Sequence, residues 1–129
     1  MAAAEKGDIL FVDDEEATIK MTKRMLSRLG YQICALSSPQ KALEHFRLHP
    51  DRFDLLITDL TMPEMNGITL ASEIHKTRPD LPVILMTGYG KNIGDSALNQ
   101  SKIRKCLKKP LKMAELATAI REVIQNENA

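Results

Sequence analysis

Five short runs alternate with stretches of helical periodicity along this chain: Ile9 to Val12, Ile33 to Leu36, Leu55 to Thr58, Val83 to Met86, and a weaker one at Cys106 to Lys108. That alternation is the pattern of an α/β domain built on a parallel sheet. Three of the runs are nearly all apolar, as strands covered by helices on both faces must be. Between them, Met21, Met25 and Leu29 recur at four-residue spacing, and Met113, Leu116, Ala117, Ile120 and Ile124 follow the period of one helix face. These stretches predict the first and last helices. Ser38 before Pro39 reads as an N-cap followed by proline at the first helical position, and Gly30 stands where a C-terminal cap glycine belongs. Gly67 opens the third helix, with Leu70, Ala71 and Ile74 on one face, and Pro79 and Pro82 close it before the fourth strand. The stretch from 91 to 99 has Gly94 inside it and few apolar residues, so it predicts only a marginal helix.

With 129 residues the chain is long enough for one core and too short for two. We expect one domain over 7–125, with flexible ends at 1–6 and 126–129. No apolar run approaches the ~20 residues of a membrane span, and the first residues lack the apolar stretch of a secretory signal, so a cytoplasmic protein without membrane contact is expected. Cys34 and Cys106 fall on the two outer strands of such a sheet, too far apart for a disulfide, which fits a reducing compartment. The net charge is +1, yet Lys102, Arg104, Lys105, Lys108, Lys109 and Lys112 crowd together without an acidic neighbour. No aromatic residues interleave them and no DNA-reading motif accompanies them, so we expect a solvated edge and no direct nucleic-acid binding. The glycines at 88, 90 and 94 follow the fourth strand and fit neither a dinucleotide fingerprint nor a P-loop. His45, His49 and His75 lie on predicted helices as solvated positions.

The chemistry is expected where the strands end. Asp13 and Asp14, Asp59, Thr87 and Lys109 each close or follow a strand, and in a parallel sheet all carboxyl ends share one edge, where ligands of open α/β sheets bind. If the strand order is 2-1-3-4-5, Asp59 sits between the acidic pair and Thr87. Any one of these residues alone is better read as a cap, a turn or a surface group; their coincidence at four strand ends is what carries meaning. Three carboxylates held together repel one another unless a cation intervenes. Mg²⁺ suits such a site, because it takes oxygen ligands and commonly binds through one or two carboxylates plus a phosphate. Asp13, Asp14, Asp59 and a backbone carbonyl just beyond Asp59 are the candidate ligands, with Mn²⁺ as an alternative ion. Lys109 and Thr87 would meet the oxygens of a transferring phosphoryl group, and Asp59 would be its nucleophile.

The segments Ile9-Leu10-Phe11-Val12-Asp13-Asp14-Glu15-Glu16, Leu56-Ile57-Thr58-Asp59-Leu60-Thr61-Met62-Pro63-Glu64-Met65-Asn66-Gly67, Ile84-Leu85-Met86-Thr87-Gly88 and Lys109-Pro110 resemble response-regulator receiver domains over nearly the whole chain. The wording of the first segment and of Met86 to Gly90 looks most like receivers attached to hybrid sensor histidine kinases. The resemblance implies a flavodoxin-like (βα)5 doubly wound sheet and a 4-aspartylphosphate at Asp59 formed from a phosphohistidine. It also implies Mg²⁺ held by Asp13 or Asp14, Asp59 and the Thr61 carbonyl, roles for Thr87 and Lys109 at the phosphoryl group, and a cis Lys109–Pro110 bond. The partners it implies are a sensor histidine kinase or a histidine phosphotransfer protein. Such a domain catalyses only its own phosphorylation and dephosphorylation. One position departs from the pattern: Cys106 stands where receivers usually carry Tyr or Phe, so a switching route through Thr87, Gly88 to Gly90 and Tyr89 is expected instead. Two rivals remain. A metabolite phosphatase would want a second acid where Thr61 stands, and a receiver acting only as a docking surface would not need the acidic cluster.

Overall fold

The computed structural model describes residues 7–88 and 102–128, with side chains described up to Ile124. Residues 1–6, Tyr89 and Gly90 of the expected switching route, and the segment 91–99 of the expected marginal helix lie outside the described residues. Five parallel strands stand in the order β2-β1-β3-β4-β5: β1 (Asp8–Val12), β2 (Gln32–Leu36), β3 (Leu55–Asp59), β4 (Val83–Thr87) and β5 (Lys105–Lys108). The described helices are α1 (Glu16–Arg28), α2 (Pro39–Leu48), α3 (Gly67–His75) and α4 (Met113–Asn128). This is the expected flavodoxin-like, doubly wound architecture.

Alternation along the strands divides the core into two layers. Leu10, Val12, Leu56 and Val83 face α2 and α3, where they meet Ala42, Phe46, Leu70 and Ile74. Ile9, Phe11, Leu55, Ile57, Ile84 and Met86 face α1 and α4, against Leu26, Leu116, Ile120 and Val123. β1, β3 and β4 are buried almost end to end, which is why they read as continuous apolar runs, whereas β5 is an edge and exposes Lys105, Cys106 and Lys108. Charged residues on an edge strand discourage pairing with another chain. Lys105 also pairs with Glu122 of α4 at 2.6 Å, so the basic run is partly neutralised.

Local signals act as read. Ser38 caps α2 by accepting a hydrogen bond from Lys41 N, and Pro39 opens that helix. Gly30, at φ 96°, takes the left-handed conformation that ends α1. Three details differ. On α1 the fully buried residues are Thr22 and Leu26, and Met21 is 44% exposed, so the core-facing stripe is rotated from the one the methionine spacing marks. α3 stops at His75, before either proline, and His75 Nε2 bonds the Leu81 carbonyl at 2.9 Å instead of facing solvent. α4 runs through Asn128, since no glycine or proline interrupts its last turns.

Candidate phosphoryl-acceptor site

The two-residue period of the strands decides which side chains meet at the carboxyl edge. Asp13 continues the Ile9–Phe11 face, Asp59 the Leu55–Ile57 face, and Lys109 the face of Leu107. All three therefore project on the side covered by α1 and α4. The register places Val12 beside Thr58 and Asp59 beside Met86, so the acidic residues are one strand spacing apart. The backbone ladder runs past the strands: Leu60 N donates to Met86 O at 2.8 Å and Lys109 N to Thr87 O at 2.8 Å. Lys109 is thus anchored at the sheet edge, and its bond to Pro110 is cis, as the resemblance implies.

Lys109 Nζ lies 2.8 Å from Asp13 Oδ2, 3.3 Å from Asp59 Oδ2 and 3.3 Å from Glu15 Oε1. Asp13 is fully buried and Asp59 6% exposed. Burial raises the pKa of both carboxyls; the Asp13 charge raises that of Asp59 further, and Lys109 pulls both partly back. At Lys109 burial pulls downward, but hydrogen bonding and charge from Asp13 and Asp59 outweigh it, and its pKa rises. Asp13, Asp14 and Asp59 each offer a carboxylate oxygen, and these oxygens lie within 4.8 Å of one another. Asp13 Oδ2 is buried and receives no directed hydrogen bond despite its contact with Lys109. A hard divalent cation fits this oxygen cluster, since it would neutralise carboxylates that one ammonium serves incompletely.

The cleft beside the cluster is lined by Asp14, Glu15, Asp59, Thr61, Gly88 and Lys109, among others, with a volume of about 520 Å³. Thr61 thus stands at the same opening. Its loop is held by Met62, which is buried in the α2/α3 layer, and by Gly67 N, which donates to Leu60 O at 2.8 Å. Gly67 is required by space, because a Cβ there would lie 2.3 Å from the Asp59 carbonyl oxygen. Thr87, 2% exposed, shares the parity of Val83, opposite to that of Met86; the register sets it beside Lys108, and its hydroxyl meets the Cys106 thiol. Burial pushes the Cys106 thiol upward in pKa, with the Thr87 hydroxyl and the Lys108 charge opposing. Sequence reasoning missed Glu15 as a partner of Lys109, 94 positions away. Its one available signal was a glutamate at an N-cap, where shorter oxygen-bearing side chains are preferred.

A sequence model of the response regulator receiver domain matches residues 9–121. The chain belongs to this family, the receiver domains of two-component signalling. It is 32% identical over 120 residues to the sensor kinase CckA of Brucella abortus, a match covering 93% of this chain and 13% of that protein. Among solved structures, a receiver domain protein from Clostridium thermocellum superposes with a TM-score of 0.88 at 29% identity, covering 95% of this chain and 97% of that one. The CheX–CheY–BeF3–Mg²⁺ complex from Borrelia burgdorferi gives 0.83 at 25% identity, covering 91% and 88% of the respective chains. The chain therefore spans only a small part of the full-length kinase it matches. Among the described residues no helix is long and apolar enough to cross a membrane.

Proposed function

We propose that Asp59 accepts a phosphoryl group from a phosphohistidine of a sensor histidine kinase or a histidine phosphotransfer protein. The N–P bond to imidazole breaks, the O–P bond to an Asp59 carboxylate oxygen forms, and the ring, protonated on its other nitrogen, leaves as neutral imidazole. The observation that carries the reading is the convergence of the Asp13, Asp14 and Asp59 carboxylates at the edge of a cleft, with Lys109 Nζ against Asp13 and Asp59. Mg²⁺, held by Asp13, Asp14, Asp59 and the Thr61 carbonyl, supplies charge neutralisation for the approaching phosphoryl oxygens. Lys109 then pairs with one phosphoryl oxygen, and the Thr87 hydroxyl bonds another once it leaves Cys106. The Borrelia relative's association with BeF3 and Mg²⁺ supports this assignment.

In this reading the unit is residues 7–125, acting in the cytoplasm as a switch that turns over no external substrate. The similarity to CckA supports a hybrid kinase as one setting for such a unit. The test is incubation with acetyl phosphate and Mg²⁺, followed by intact mass. Wild type is expected to gain one phosphoryl group, Asp59→Asn none, and chelation of Mg²⁺ to prevent the gain. Modification of Asp59→Asn at the wild-type rate would refute the assignment.

A further inference from the structure

Lys109 Nζ lies within 3.3 Å of three carboxylates, and only one of these can be spared. Asp13 is buried, and its Oδ1 accepts a hydrogen bond from Glu15 N at 2.9 Å, so it is fixed. Asp59 is the acceptor itself in the proposed reaction. Glu15 is different: its side chain is 64% exposed, yet its Oε1 receives a directed hydrogen bond from Lys109 Nζ at 3.3 Å. Thr18 Oγ1, one turn into α1, donates to the same Oε1 at 3.2 Å and holds it there. Glu15 occupies the N-cap of α1 but makes no side-chain cap hydrogen bond. Its carboxylate has been diverted from the role that position normally gives a side chain, toward Lys109 at the lip of the cleft.

Resting on the phosphoryl-acceptor reading, we propose that Glu15 is a specificity-determining residue of the site, a displaceable anion that occupies Lys109 and discriminates against small, highly charged phosphodonors. The incoming phosphoryl oxygens need the Lys109 donor that Glu15 holds, and they meet the Glu15 charge on the way in. Exposed ion pairs are weak and salt-screened, so Glu15 can be displaced, and the barrier it raises is modest. A donor that brings more negative charge is penalised more.

The experiment compares wild type, Glu15→Gln, Thr18→Val and a Glu16→Gln control in Mg²⁺, with acetyl phosphate and the less anionic phosphoramidate as donors. Glu16 is exposed on the same helix and leaves the site untouched. Glu15→Gln keeps an oxygen for Thr18 and removes only the charge. It is expected to accelerate phosphorylation by acetyl phosphate about three- to fivefold, a gain that shrinks with added salt, and to accelerate phosphoramidate less. Thr18→Val is expected to give a smaller gain in the same direction. Equal gains with both donors, no gain, or slower reaction with acetyl phosphate would each overturn the proposal. A second readout needs no phosphorylation: the ¹⁵N resonance of the Lys109 ammonium is expected to move in Glu15→Gln and to stay in Glu16→Gln. An unmoved resonance overturns the proposal whether or not the chain is phosphorylated. A wild type that takes no phosphoryl group, with a resonance that does move, sinks the function above and leaves the Glu15–Lys109 contact standing.

Discussion

Asp59 and Asp13 are held in a state the isolated residues would avoid. Burial raises both pKa values, and the Asp13 charge raises that of Asp59 further, so the ionised forms strain the fold in the absence of a cation. Asp59→Asn is therefore expected to stabilise the chelator-treated protein at neutral pH by about 1 kcal/mol in urea denaturation. The pH dependence has a definite sign. A carboxyl whose folded pKa is raised gives its stabilising contribution fully below the unfolded value, near 3.8, and loses it as pH rises through the folded value. The advantage of Asp59→Asn over wild type is thus expected to shrink as pH falls from 7 toward 4. An advantage that grows on acidification would show that Lys109 pairing dominates at Asp59.

At the level of elements, the loop from β3 to α3 must pass close to the carbonyl of its own acidic residue. Asn66 caps α3 by accepting from Thr69 N at 2.8 Å, and Gly67 then fits where any Cβ would meet the Asp59 carbonyl oxygen and Leu85. Gly67→Ala is expected to cost about 2 kcal/mol or more, because the obstruction is backbone and cannot rotate away. Gly88→Ala places its Cβ in open space and is expected to change stability by no more than about 0.5 kcal/mol. Thermal or urea denaturation of the pair decides the matter, and equal stabilities would contradict the packing described at Gly67. The sequence marked Gly67 only as a helix start; its steric role depends on β3 lying beside it, a contact no local pattern encodes.

For the whole molecule, folding and ion binding are linked, since the oxygen cluster exists only when β1 and β3 are paired. A ligand that binds only the folded state adds about 1.4 kcal/mol at ten times its dissociation constant. Mg²⁺ is expected to raise the melting temperature by a few degrees in wild type and much less in Asp13→Asn. Identical shifts in the two proteins would remove Asp13 from the ion site. Cys34 and Cys106 are both free, so a reducing agent is expected to leave the melting temperature unchanged. The cation would also relieve the repulsion that raises the Asp59 pKa, so the gain from Asp59→Asn is expected to vanish or reverse in Mg²⁺.

The sequence by itself determined the elements and most of the acidic edge, for a physical reason. Strands buried on both faces must be apolar along their length and parallel strands end on one side, so the coincidence of Asp13, Asp14, Asp59 and Lys109 at strand ends could be read as one shared edge. The strand order entered as a condition and as what the family resemblance implies, and the observed sheet has that order. What the tertiary structure decided were the matters set by rotation and by contact across the chain. The turn of α1 about its axis buries Thr22 and Leu26 and leaves Met21 half out, although the methionine spacing fits a helix equally well. The parity of β4 sends Thr87 toward Cys106 while Asp59 and Lys109 share the other face. The pairing of Glu15 with Lys109 spans 94 positions, and only the closing of the sheet brings those two charges within reach.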